Sequence, residues 1–187
     1  MKTFLQSFHI LTAEDIENFM KHTRRKTLQK GAFFVRENEH CNEVAFIESG
    51  LFRSFYHNSN GEEVTYCFLS EQSLLTAYSA YITGQRTTEN IQALAPSELV
   101  YISKSALEEL QENNVRWLTV FKTLAEQEYL NLERRIFTLQ RESAEQRYLH
   151  LLQHHPKYLL EIPLQYLASY LGISQRHLSR IRQQIKN

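Results

Sequence analysis

Between Ser103 and Ser105 the pattern of the chain changes, and this change constrains the fold more than any other feature. From Thr27 to Ser103 apolar residues come in short runs rich in aromatic and β-branched side chains: AFFV, EVAFIESGLFRSFYH, EEVTYCFL and LVYIS. Beyond Ser105 they recur every three or four residues instead. An antiparallel β body must therefore come first and an all-helical part second. Asn60-Gly61, between FRSFYH and EVTYCFL, is a strong hairpin signal. Several short strands broken by turns favour a sandwich or barrel. One helix is expected ahead of them, over residues 12–26, with Thr12 as its cap, Asp15 three residues on, and Ile16, Phe19 and Met20 on one face.

The helical part opens with a long element from about Asn113. Leu118, Ala125, Leu132 and Leu139 recur every seven residues, and Trp117, Phe121, Leu124, Tyr129 and Ile136 widen the stripe. A sustained heptad is the seam of a helix pair. Leu118, Phe121, Ala125, Leu132 and Leu139 are thus expected at a homodimer interface, with one flank also touching the β body. Glu128 and Arg135 fall where a second seam position would, so a strict coiled coil is not expected.

The last third is punctuated like a set of short helices. Ser143 and Gln146 form a capping-box pattern ahead of Tyr148, Leu151 and Leu152. Pro156 interrupts, and Pro163 suits a first helical residue. Leu164, Leu167, Ala168 and Leu171 then follow i, i+3, i+4, i+7 spacing. Gly172 can end that helix and Ser174 can cap the next. With Leu178, Ile181 and Ile185 facing the first helix, the pair has helix-turn-helix spacing. The opposite face of the second helix is Gln175, Arg176, Ser179, Arg180 and Gln183, all suited to base edges or phosphates of double-stranded DNA. Arg182 and Lys186 lie further round or further along and are expected to act on phosphates.

Charge distribution agrees with that reading. The chain of 187 residues is formally neutral, yet residues 1–140 hold 14 basic and 18 acidic side chains while residues 141–187 hold 7 and 3. From Ser174 onward there is no acid at all. A basic module on an acidic carrier points to nucleic acid. Cys41 and Cys67, with no CxxC, make neither a disulfide framework nor a zinc site. No run of 18 apolar residues or signal-peptide centre occurs, so a cytoplasmic protein without a membrane partner is expected.

The stretches KGAFFVRENEHCNEVAFIESGLFRSFYHNSNGEEV and SAEQRYLHLL…IPLQYLASYLGISQRHLSRIR resemble the Crp/Fnr transcription regulators, in particular the compact forms common in Bacteroidetes-type bacteria. The resemblance runs from about residue 27 to the last residue. It implies an α+β chain: an N-terminal antiparallel β-roll of the cyclic-nucleotide-binding, jelly-roll kind over residues 1–112, a dimerisation helix over 113–140, and a winged-helix-like helix-turn-helix domain over 141–187. The sequence stops two residues after Ile185, so the β-wing of many relatives is not expected. Such a regulator acts as a homodimer on palindromic promoter sites, with RNA polymerase as a further partner.

The resemblance also locates a candidate effector cassette. In nucleotide-binding relatives a Gly-Glu pair and a later Arg-Ser/Thr-Ala segment hold the ribose and cyclic phosphate. Here FLSEQSLL keeps the acid as Glu71 but has Ser70 for the glycine, and GQRTTENIQAL places Thr87 at the arginine and Glu89 at the alanine. Arg86 and Thr88 flank that position, and a one-residue shift on a strand reverses the facing. A carboxylate beside a phosphate with no arginine repels it, so cyclic AMP is not expected to bind and no cofactor is assigned. The eight histidines show no metal-enzyme spacing. A β-barrel enzyme with a helical tail therefore lacks its chemistry, and neither catalytic residues nor a metal are expected. The alternative function is a ligand-binding or partner-docking β-roll without DNA binding.

Overall fold

The computed structural model describes residues 1–112 and 114–186, with Lys186 described by its backbone alone. The chain runs α1 (Lys2–Gln6), α2 (Ala13–Lys21), β1 (Arg24–Leu28), β2 (Phe33–Val35), β3 (Glu43–Ser49), β4 (Leu51–His57), β5 (Glu63–Ser70), β6 (Leu74–Leu75), α3 (Tyr78–Thr83), β7 (Asn90–Ala93) and β8 (Ser97–Ser103). The helices α4 (Lys104–Gln111), α5 (Val115–Arg141), α6 (Ala144–His154), α7 (Pro156–Glu161), α8 (Leu164–Leu171) and α9 (Gln175–Lys186) follow. Strand texture thus gives way to helix at Ser103, whose hydroxyl accepts from the Ala106 N–H to cap α4.

The strands form two four-stranded sheets, ordered β1-β8-β3-β6 and β2-β7-β4-β5. Their facing side chains, among them Val35, Ala45, Ile47, Phe52, Leu75, Ile91, Ala93 and Leu99, make one closed core. The chain leaves β3 for β4, and hence one sheet for the other, through Gly50. Its φ of +118° and the Ser97 side chain 2.0 Å from where a Cβ would stand exclude any other residue. A second cluster joins Leu5, Ile16 and Phe19 to Ile102, Leu107, Leu110 and Trp117, with the Phe19 and Trp117 rings stacked 5.1 Å apart. This cluster docks the start of α5 on its own β body.

One sequence expectation changes here. The first helix, expected over 12–26, ends at Lys21, and Arg24–Leu28 is a strand paired antiparallel with β8. Lys26 is held there by Glu43 and lies over the Phe34 and Tyr101 rings, partners too distant in sequence for local pattern to reveal. The run EVAFIESGLFRSFYH comprises the two strands β3 and β4. Thr12 does cap α2 in a capping box with Asp15, and Ser143 with Gln146 does the same for α6.

Residues Met1–Tyr56 and Phe68–Glu126 form one compact unit, and His57–Cys67 with Gln127–Asn187 form the other. The β4–β5 turn therefore belongs with the C-terminal helices. Asn58 builds that turn by accepting from the Asn60 and Glu62 N–H groups through Oδ1, with Gly61 at φ +78°.

Candidate nucleic-acid interface

The last two helices are packed by the residues their spacing named. Leu167, Ala168 and Leu171 on α8 meet Leu178 and Ile181 on α9, each no more than 3% exposed. Each fully buried Leu or Ile there contributes ~1.5–3 kcal/mol. Gly172 takes φ +69°, and the Ile173 N–H reaches back to the Ala168 carbonyl, closing α8. The Ser174 hydroxyl then accepts from the His177 N–H at 3.2 Å and starts α9. Pro163 stands at the N-cap of α8 rather than one residue inside it.

With one face of α9 buried, the other is exposed. Gln175, Arg176, Arg180 and Gln183 are exposed and Ser179 is half-buried beside them. Among the described residues neither Arg176 nor Arg180 makes a hydrogen bond or ion pair. These are two uncommitted cations one helical turn apart, in a helix that carries no acid. Arg182, expected further round on phosphates, is half-buried, and its Nη2 donates to the Leu159 carbonyl of α7 at 3.3 Å. Lys186, expected on phosphates, has its side chain outside the described residues.

The turn between α8 and α9 is tied down. Arg135 on α5 lays its guanidinium 3.9 Å over the Tyr170 ring and donates to the Tyr170 carbonyl. Arg147 on α6 donates to the Leu171 carbonyl at 3.0 Å. Burial pushes the Arg135 guanidinium below its ordinary pKa and the Tyr170 phenol above its own. On the other side of α8, the Ser169 hydroxyl accepts from the Thr65 N–H at 2.9 Å and donates to the Glu63 carbonyl at 3.3 Å. Sequence reading missed these ties, and Arg135 in particular read as a defect in an apolar seam.

Along α5 the heptad splits into two parts. Leu118, Leu132 and Leu139 are 51%, 54% and 41% exposed, and Tyr129 and Ile136 exceed half, so an apolar seam faces outward. Phe121 does not join it fully: it is half-buried and stacks on Trp117 at 5.9 Å, part of the flank against the β body. Ala125 is half-buried too. Asp15 anchors the start of the helix, accepting from Arg116 Nε at 2.6 Å and Asn114 Nδ2 at 2.7 Å. The Arg116 guanidinium, followed by the Thr12 and Asn114 donors, holds the Asp15 carboxyl well below the usual carboxylate range against the opposing effect of burial.

The candidate cassette residues are scattered in role. Glu71 is exposed in the tight turn after β5, beside Gln72 at φ +67°. The Arg86 Nη1 donates to the Asn38 carbonyl at 2.6 Å. Thr87 is 4% exposed, exchanges main-chain hydrogen bonds with Asn38 and Glu39, and turns its hydroxyl to the Glu89 N–H. Thr88 is exposed. Thr87 thus holds together two loops rather than presenting a ligand group.

Comparison with known proteins agrees with this architecture. Residues 25–114 match the family model of the cyclic nucleotide-binding domain. No curated protein matches the chain in sequence. Among solved structures, FixK2 from Bradyrhizobium japonicum is 18% identical at a TM-score of 0.78, covering 88% of this chain and 84% of its own. The c-di-GMP-responsive global regulator CLP of Xanthomonas campestris is 17% identical at 0.74, covering 94% and 92%. A Eubacterium rectale protein assigned to the Crp/Fnr transcriptional regulators is 15% identical at 0.77, covering 98% and 88%. Residues 25–114 are thus similar to the cyclic nucleotide-binding domain, and the chain shares its fold with these solved regulators.

Proposed function

We propose that the protein is a dimeric, sequence-specific DNA-binding transcription regulator whose β-roll does not answer to cyclic AMP. The observation that carries this reading is the outer face of α9, where Arg176 and Arg180 stand exposed and uncommitted on a helix without an acid. An α-helix fits the major groove. Arginine donates twice to guanine, glutamine pairs with adenine, and serine reaches base or phosphate. Gln175, Arg176, Ser179, Arg180 and Gln183 are the readers in this helix-turn-helix, and the apolar seam of α5 is the surface on which two copies meet.

Selecting bound fragments from sheared genomic DNA, then titrating the selected site at several salt concentrations, tests the reading. Enrichment of a two-fold symmetric sequence is expected, with affinity falling linearly in log–log form as salt rises. Failure to enrich any sequence would leave a β-roll that binds ligands or partners without DNA.

A further inference from the structure

Arg135 interrupts an exposed apolar row. Leu132, Ile136 and Leu139 around it on α5 are exposed, while Arg135 itself is half-buried against the end of α8. A helix C-terminus carries carbonyls without intrahelical donors and the negative end of the macrodipole, so a cation is favoured there. Two arrive: Arg135 from α5 at the Tyr170 carbonyl and Arg147 from α6 at the Leu171 carbonyl. The planar Arg135 guanidinium also stacks on the Tyr170 ring at 3.9 Å, which a lysine ammonium cannot do. Immediately beyond, the Leu139 side chain lies 3.5 Å from where a Cβ on Gly172 would stand, so the turn into α9 rests on α5. Stacking, hydrogen bonding and contact at the turn fix the pair α8–α9 to the C-terminal half of α5.

We propose that Arg135 is a specificity-determining positioning residue: it sets the spacing between the two half-sites that the protein reads. The proposal rests on the reading of α9 as the DNA-contacting helix and α5 as the dimer helix. Two recognition helices held rigidly to one seam must meet grooves a fixed ~34 Å apart. Inserting one base pair shifts a half-site by ~3.4 Å and turns it by ~35°, which a locked pair cannot follow and a loosened pair can. Arg135 itself touches no base, so the base preference within each half-site is independent of it.

The test uses the full chain and the symmetric site selected for the wild type, with versions lengthened or shortened by one and two base pairs. The wild type is expected to lose affinity ~10-fold or more for each altered spacing. Arg135→Ala is expected to lose less than about threefold across the series, with unchanged half-site preference and an unchanged salt slope. Tyr170→Leu removes the ring but keeps the carbonyl, and is expected to relax the spacing part-way. It decides by the same criterion if Arg135→Ala melts before assay. Retention of wild-type spacing discrimination by the folded variants would overturn the proposal. A salt slope lowered by about one unit would also overturn it, because Arg135 would then be a phosphate contact. A wild type that selects no site refutes the DNA-binding reading instead, and the two failures are told apart by the wild type alone.

Discussion

Arg86, in the loop before β7, and Arg176, in the first turn of α9, are both exposed arginines, yet they differ in what they already hold. Arg86 donates to the Asn38 carbonyl and helps close the loop around Thr87. Arg176 and Arg180 hold nothing among the described residues. Arg116 stands at the far end of this range, forked onto the buried Asp15 carboxylate at 2.6 and 3.0 Å. The difference teaches where to look for an anion site. An arginine already satisfied by its own chain must give up that partner before it can take a phosphate, whereas one left open on a rigid helix gives up only water.

The largest expected effect comes from removing the proposed two-fold pairing through α5. Leu132→Asp places a charge in the middle of the exposed seam, where Leu132 is 54% exposed and flanked by Tyr129 and Ile136. Monomers are expected in light scattering, and DNA affinity should fall ~100-fold or more as the second half-site stops assisting the first. A wild type that is itself monomeric at micromolar concentration would break the comparison, because a lone α9 has no use for a fixed spacing.

Next are the arginines themselves. Arg176→Ala and Arg180→Ala are each expected to cost about 1–3 kcal/mol on the preferred site and to relax selectivity at one base position. Arg86→Ala serves as the control and is expected to leave DNA affinity unchanged. Equal losses in Arg86→Ala and Arg176→Ala would erase the distinction between tied and open cations.

What could be read in advance follows the same division between local and distant partners. The α8–turn–α9 unit was legible because each cue acts within a few residues: the i, i+3, i+4, i+7 stripe, Gly172 for the left-handed turn and Ser174 for the cap. The Asn60-Gly61 hairpin and both capping boxes were legible for the same reason. Strand β1 was not, since RRKTL has neither alternation nor aromatic content and becomes a strand only by pairing with β8 some seventy residues on. The partners of Arg135 and Arg182 were equally illegible: they are main-chain carbonyls of other helices, and carbonyls leave no mark in a sequence.

The tied extreme makes a smaller, pH-dependent prediction. Asp15 accepts from Arg116, Asn114 and both donors of Thr12, and its carboxyl lies well below the ordinary range. A group whose folded pKa is depressed contributes stability above its unfolded pKa of ~3.9 and loses it as pH falls through that value towards the folded one. Thermal melting at neutral pH is expected to show Asp15→Asn destabilised by about 1–2 kcal/mol, at the low end because Arg116 remains half-exposed. The gap between wild type and variant is expected to close below pH 4. A gap of the same size at pH 3 and pH 7 would mean that the carboxylate charge does not hold the start of α5.

The smallest expected effect is none at all, and it tests the β-roll. The sequence resemblance would put Thr87 at the phosphate arginine of nucleotide-binding relatives, and Thr87 is buried and commits its N–H, carbonyl and hydroxyl to neighbouring loop atoms. Arg86 beside it is held by Asn38, and Glu71 is exposed in its turn. A ligand shifts a population between two states only by its difference in affinity for them. With no arginine offered to the cyclic phosphate, cyclic AMP has no anchor from which to supply that difference. Titration calorimetry with cyclic AMP and cyclic GMP at millimolar concentration is expected to give no binding heat, and neither nucleotide is expected to alter DNA affinity. Micromolar binding that Arg86→Ala abolishes would show that this arginine can leave Asn38 for a phosphate, and would remove the basis for separating tied from open cations in this protein.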